Sequence, residues 1–348
     1  MNCSVAGRAK DIALDQLVRV LDRVPLVSGI KNDLSGLRSL LYERRAPRIA
    51  VLGRSGSGRS SVLRALIERE PAGETLTAEH GQWVRIEHEG ATIRWLEIDI
   101  DHDAARSQWK EAMERRVPDL VLLTFDPDDL KSAAQVVERA QHLLRDLPNG
   151  TEPLRVLALL TKVDSLPESG PGVDAVRDDL DEKIHALNLR TDPVRAISTF
   201  SSGGLDALSE AIVLALPEQA RLEAARALTR ASEARLRIAN EIVQACTSVS
   251  VTVGLTPIPF SDSILLGPLQ AMMVSALAYL SGRAWDRKTI AQWIASLGVV
   301  GGLGVGLRFT ARTVAKLVPG AGPVVSAGIA GAGTTAMGQS AIKYFLRA

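Results

Sequence analysis

Eight residues restrict the fold of this chain more than any others: Gly53-Arg54-Ser55-Gly56-Ser57-Gly58-Arg59-Ser60. They stand between a short apolar run, Arg48–Leu52, and a helical pattern over Ser60–Ile67. Glycines in that setting let successive backbone N–H groups turn towards one anion, and the helix start adds partial positive charge. Spacing and context are those of a loop that cradles phosphate. Gly53, Arg54, Ser55, Gly56, Ser57, Gly58, Arg59, Ser60 and Ser61 are therefore the candidate phosphate contacts, with the Ser60 hydroxyl as a Mg²⁺ ligand. Position 59 is Arg where the pattern expects Lys. The charge survives as a planar fork in place of a compact ammonium, so binding is expected to persist while catalysis weakens.

The surroundings alternate between two periods. Strands are expected at Arg48–Leu52, Trp83–His88, Thr92–Asp99, Asp119–Phe125, Leu154–Leu160 and Val194–Ser198, with a hairpin across Glu89-Gly90. Helices are expected near 103–116, 131–146, 172–187 and 205–215. Strands alternating with helices predict an α/β fold built on a mostly parallel, doubly wound sheet. Two amphipathic helices, at 11–24 and 31–44, precede it.

A second motif follows the fifth strand. Thr161-Lys162-Val163-Asp164 puts a carboxylate where it can accept from guanine N1–H and N2–H₂ together, a pair adenine lacks. The Lys162 stem can cover the base. Thr75 and Thr77 lie in the loop before the second strand, and Asp99 closes the third. His102, three residues on, could orient a water, although an ordinary loop role suits it as well. Arg59, Asp99 and His102 are thus the catalytic candidates.

Together with Ala196-Ile197-Ser198-Thr199 and the Gly203-Gly204-Leu205-Asp206 helix start, these motifs resemble the Era-like branch of small GTPases over residues 46–216. The resemblance implies a Ras-like P-loop G domain, guanine selectivity from Thr161, Lys162 and Asp164, and a base-backing loop at Ser198 and Thr199. It implies GTP or GDP with Mg²⁺ as ligands, the ion held by Asp99 through a water and by Thr77, with Thr75 as the alternative. Two positions depart from the family: Arg59, and His102 where a Gly normally meets the γ-phosphate.

Charge bounds the partners. With 41 basic and 40 acidic residues the net charge is +1, so no specific nucleic-acid partner is expected. The two cysteines, Cys3 and Cys246, have no metal-ligand spacing, and the reading is cytoplasmic with no secretory leader. The charges are not evenly spread. From Ile242 onward they nearly vanish, so residues 217–348 are expected to form an all-α, glycine-rich hydrophobic domain behind the N-terminal helices (1–45) and the G domain (46–216). A single Arg-rich amphipathic helix is expected over Glu218–Cys246. Arg221, Arg226, Arg230, Arg235 and Arg237 would suit an anionic membrane surface or a solvated face equally.

Ser263–Gly282 has the length of a membrane span. Gly298, Gly302 and Gly306, and then Gly328, Ala332, Ala336 and Ser340, mark lanes along which helices could approach closely. Pro257-Ile258-Pro259-Phe260, Leu269 to Met272 and the closing Tyr344-Phe345 resemble a YcjF-type membrane-associated helical domain of unknown function. That resemblance implies membrane lipid as a partner at the inner face of the cell membrane. A homo-oligomer is also possible. The leading expectation is a slow, nucleotide-dependent GTPase switch there. Its rivals are a pseudo-GTPase scaffold and a membrane-remodelling or pore-forming effector triggered by the G domain.

Overall fold

A computed structural model describes residues 43–68, 81–147, 154–166, 172–255, 266–282 and 322–347. The expected N-terminal helices lie outside these residues, as do Thr75, Thr77, the Pro257–Phe260 run and the Gly298–Gly306 lane. The chain falls into two compact units, Arg44–Ala234 and Met1–Glu43 with Arg235–Ala348.

In the first unit six strands form one sheet: β1 (Arg48–Gly53), β2 (Val84–His88), β3 (Ala91–Asp99), β4 (Leu120–Phe125), β5 (Arg155–Leu160) and β6 (Asp192–Ala196). The order is β2-β3-β1-β4-β5-β6. All neighbours are parallel except β2, which runs antiparallel on β3. The helices are α1 (Arg59–Ile67), α2 (Ala105–Arg115), α3 (Ala133–Arg145), α4 (Val173–Ala186), α5 (Leu205–Ala215) and α6 (Glu218–Ala227). This is a Ras-like α/β G-domain fold.

The local reasons are plain. All six residues of β4, LVLLTF, are buried, as suits a strand with helices over both faces. In α3, Val136, Val137, Ala140 and Leu143 recur at helical spacing and face the sheet, beside Leu123, Val156 and Leu180. Glu89 (φ 50°) and Gly90 (φ 73°) are both left-handed, which makes the two-residue hairpin turn that matches strand twist. The two edge strands differ in chemistry. β2 carries Arg85 and Glu87, exposed and paired at 2.6 Å, while β6 opens with Asp192-Pro193.

Asp119, just before β4, ties the base of the sheet together. Its carboxylate accepts from Arg45 Nη1 (2.5 Å), the Arg48 backbone N–H (2.9 Å) and Arg48 Nη2 (2.8 Å). Burial alone would raise its pKa. The hydrogen bonds and charge of Arg45 and Arg48 outweigh that and hold it below the usual carboxylate range.

Two expectations are corrected beyond β6. The single helix over Glu218–Cys246 is two helices, α6 and α7 (Ser232–Leu255), because Leu228 is extended (φ −86°, ψ 97°). Arg230 is engaged across the break, with Glu68 at 2.9 Å, Asp206 at 3.0 Å and Ser202 Oγ at 3.2 Å. Within the Arg series, Arg221, Arg226 and Arg230 are engaged by the fold, while Arg237 is exposed. Arg221 donates to the Leu216 carbonyl (2.9 Å), and Arg226 donates to the carbonyl of Glu89 in the hairpin turn (2.5 Å).

In the second unit, α9 (Gly322–Leu346) meets both α7 and α8 (Gly267–Leu280). The 14 residues of α8 span about 21 Å, short of the roughly 30 Å hydrocarbon core. Among the described residues no helix is long and apolar enough to cross a membrane. The close-packing glycines are Gly331 and Gly338, where a Cβ would lie 2.6 Å from Val251 Cγ2 and 2.5 Å from Val243 Cγ2. Of the expected lane, Gly328, Ala332 and Ala336 are exposed, so the lane is rotated off the contact face. A polar chain crosses all three helices, buried at Thr334 and Ser250: Gln270 Nε2 donates to Thr334 Oγ1 (3.0 Å), which donates to Ser250 Oγ (2.9 Å).

Candidate functional site

The strand order reverses beside β1, and in open α/β sheets the crevice outside the carboxyl ends of the strands is where ligands sit. The sequence motifs emerge at those ends: the phosphate loop after β1, Asp99 at the end of β3, and Thr161-Lys162-Val163-Asp164 after β5.

The loop turns through two left-handed glycines, Gly56 (φ 79°) and Gly58 (φ 86°). Gly58 opens α1 without any side-chain cap, so the first-turn N–H groups, Ser61 among them, have no side-chain acceptor. Ser55 and Gly56 form the exposed crest, while Ser57 is buried beneath it. Close packing fixes Gly53, where a Cβ would meet Thr124 Oγ1 at 2.0 Å and Ser57 Oγ at 2.5 Å. The Ser57 hydroxyl is 2.7 Å from Thr124 Oγ1, which in turn donates to the Leu52 carbonyl at 3.2 Å.

Thr161 joins the second motif to the first. Its hydroxyl lies 2.9 Å from the carbonyl oxygen of Ser57 and 3.0 Å from that of Phe125. Lys162 has left-handed backbone (φ 50°) and places Nζ 2.6 Å from Asp126 Oδ2 at the end of β4. Asp164 is exposed, and its carboxylate accepts from Ser198 Oγ. That same hydroxyl oxygen accepts from the N–H groups of Phe200 (3.2 Å) and Ser201 (3.0 Å), and Ser198 N–H donates to the Gly203 carbonyl (2.9 Å). The loop carrying Ser198 and Thr199 is thus folded tightly against the Asp164 side chain.

Arg59 does not project outwards. Its side chain is 7% exposed, and it donates through Nη1 to the Gly53 carbonyl and through Nη2 to Asp99 Oδ2 at 3.3 Å. Asp99 Oδ1 accepts the Asp101 N–H at 3.0 Å. Ser60 Oγ donates to Glu97 Oε2 at 2.7 Å, while Glu97 Oε1 accepts from the Trp95 indole at 3.0 Å. The residues expected to hold Mg²⁺ therefore have internal partners, except Thr77, which lies outside the described residues. Among the described residues no group of three or more His, Cys, Asp or Glu side chains is placed to hold a metal ion. His102 Nδ1 accepts the Ala104 N–H at 3.1 Å and its carbonyl accepts the Ala105 N–H, so it shapes the entry to α2.

Several participants were not singled out in the sequence. Thr124 is the polar residue of an otherwise apolar strand, a signal that could have been read; Glu97 stands in a strand that also carries Thr92 and Arg94. Arg54 is more than a loop contact: it pairs with Asp101 and Asp129, and Arg139 of α3 pairs with the same Asp101. A cavity of about 70 Å³ behind the loop, lined by Arg54, Ser57, Thr124, Asp126 and Asp129, is too small for a nucleotide.

Fold and site together define a Ras-like P-loop G domain joined to a helical unit. Similar solved structures include a mutation variant of SsGBP, at 17% identity and TM-score 0.37, covering 54% of this chain and 65% of that one. The FeoB G-domain from Methanococcus jannaschii is similar at 16% identity and TM-score 0.35, covering 49% of this chain and 98% of that one. So is the Arl6 BBS3 small GTPase from Trypanosoma brucei with bound nucleotide analogue GppNp, at 14% identity and TM-score 0.38, covering 49% and 98%. The chain spans less than two thirds of the SsGBP variant's length. No family model matches the chain, and no curated protein does.

Proposed function

We propose that this chain is a guanine-nucleotide-binding protein of the Era-like kind, which holds nucleotide between the phosphate loop and the Thr161–Asp164 motif and turns GTP over slowly. One observation carries the reading: Ser198 holds the Asp164 carboxylate in place, while Thr161 of the same motif is bonded to the loop at Ser57. A fixed carboxylate beside the phosphate cradle suits the paired N1–H and N2–H₂ donors of guanine, whereas adenine offers it only the exocyclic amine. Slow turnover follows from the two departures. Arg59 is folded onto Gly53 and Asp99, and His102 commits Nδ1 to the start of α2.

Calorimetry of the full chain with GDP, GTP and ATP tests this. GDP and GTP should bind and ATP should not. Asp164→Ala should weaken GDP by about 10- to 100-fold, the usual effect of losing charge-assisted hydrogen bonds. Equal binding of ATP, or an unchanged Asp164→Ala, would sink the proposal.

In the same proposal the chain acts as a switch at the inner face of the cell membrane, reached through the helical unit. The support is compositional: α9 carries no charged residue from Gly322 to Ile342. Flotation of the full chain with vesicles of anionic phospholipid is the check, and a chain that stays at the bottom removes this part alone.

A further inference from the structure

We propose that the Arg59 guanidinium takes the place of Mg²⁺, so that this chain binds guanine nucleotide without a divalent cation. The inference rests on the nucleotide-binding reading above and concerns how the same site neutralises phosphate. A phosphate loop of the usual kind needs a metal because its single ammonium leaves most of the diphosphate charge unmatched. The metal then sits between the Ser hydroxyl of the first helical turn and the carboxylate that ends the third strand. Here both of those groups are engaged by the protein.

Ser60 Oγ donates to Glu97 Oε2 at 2.7 Å, and Glu97 is itself fixed by the Trp95 indole at 3.0 Å. Asp99 has one oxygen on Arg59 Nη2 at 3.3 Å and the other on the Asp101 N–H at 3.0 Å. A dication at this point would face the Arg59 charge directly and would have to displace it from Asp99. The guanidinium also has what the task requires. It is a delocalised cation with five N–H donors in a plane. Two are used here, on Gly53 and Asp99, which anchor the group at 7% exposure; in the proposal the other three turn to phosphate oxygens when nucleotide binds. Arg–phosphate contacts are short, charge-assisted and often bidentate, so a fork anchored at its far end can supply both the charge and the orientation that a metal gives elsewhere. Asp99 is then a positioning residue for Arg59.

The test is GDP binding to the full chain by calorimetry, once with millimolar Mg²⁺ and once with excess EDTA. In the wild type the two dissociation constants should agree within about threefold, less than 1 kcal/mol. Arg59→Lys, whose point charge lacks the fork, should create a metal dependence, with GDP at least about tenfold weaker in EDTA than in Mg²⁺. Asp99→Asn separates the two roles of that carboxylate. If it positions Arg59, affinity falls by the same factor in both buffers; if it holds metal, affinity falls in Mg²⁺ alone. A wild type that loses GDP by about tenfold or more in EDTA, or an Asp99→Asn effect confined to Mg²⁺, overturns this inference and leaves the nucleotide-binding reading standing. No binding in either buffer removes both.

Discussion

Thr161 and Ser57, 104 positions apart, are joined by a hydrogen bond of 2.9 Å from the threonine hydroxyl to the serine carbonyl. Through it the residue that opens the Thr161–Asp164 motif also holds the back of the Gly53–Ser60 loop. The two halves of the candidate site are thus directly joined, so a change at either should be felt at the other.

Thr161→Val tests that coupling. Valine keeps the shape and removes the proton, leaving the buried Ser57 carbonyl without this donor at a cost of about 1–3 kcal/mol. The melting temperature should fall by several degrees, and calorimetry should show GDP binding about tenfold weaker although residue 161 need not touch the nucleotide. An unchanged affinity would mean that the loop holds its shape unaided.

The Asp119 knot should shape the response to acid. A carboxylate whose pKa is depressed by folding contributes stability above its unfolded value, near about 3.9, and loses it as pH falls through the folded value. Urea melts should therefore show stability dropping below about pH 4 in the wild type, with a flatter profile in Asp119→Asn. At pH 7 the variant should be less stable by about 3 kcal/mol, since it leaves Arg45 and Arg48 partly uncompensated. Parallel profiles would move the acid sensitivity elsewhere.

On α9 the contact face makes a paired prediction. Gly338→Leu drives a side chain into Val243, where even a Cβ would lie at 2.5 Å, and should destabilise the helical unit by about 1–3 kcal/mol. Ala336→Leu, on the exposed side, should stay within about 0.5 kcal/mol. Circular-dichroism melts of the two full-length variants decide it, and the reverse order would restore the lane that the sequence suggests.

That lane shows where sequence reading ends. Between Gly328 and Ser340 nearly every position is small, so no period distinguishes the packed face from the exposed one. The strands were readable to within about two residues because long apolar runs such as Leu120–Phe125 are bounded by charge or turn residues. Thr161, Asp164 and Ser198 could likewise be named, since each is set by a short local motif. The partner of Arg59 could not, because Asp99 is 40 residues away and only folding shows which acceptor the guanidinium finds. The break before α7 had no Gly or Pro to announce it, and its Arg230 is engaged with Glu68 and Asp206.

The two margins of the sheet have a consequence for how copies of this chain can meet. At β6, Pro193 has no N–H to offer a visiting strand, and at β2 a newcomer would have to settle beside the Arg85–Glu87 pair. Neither rim is a template for a further strand. Backbone pairing between copies is thereby disfavoured at both described edges of the sheet.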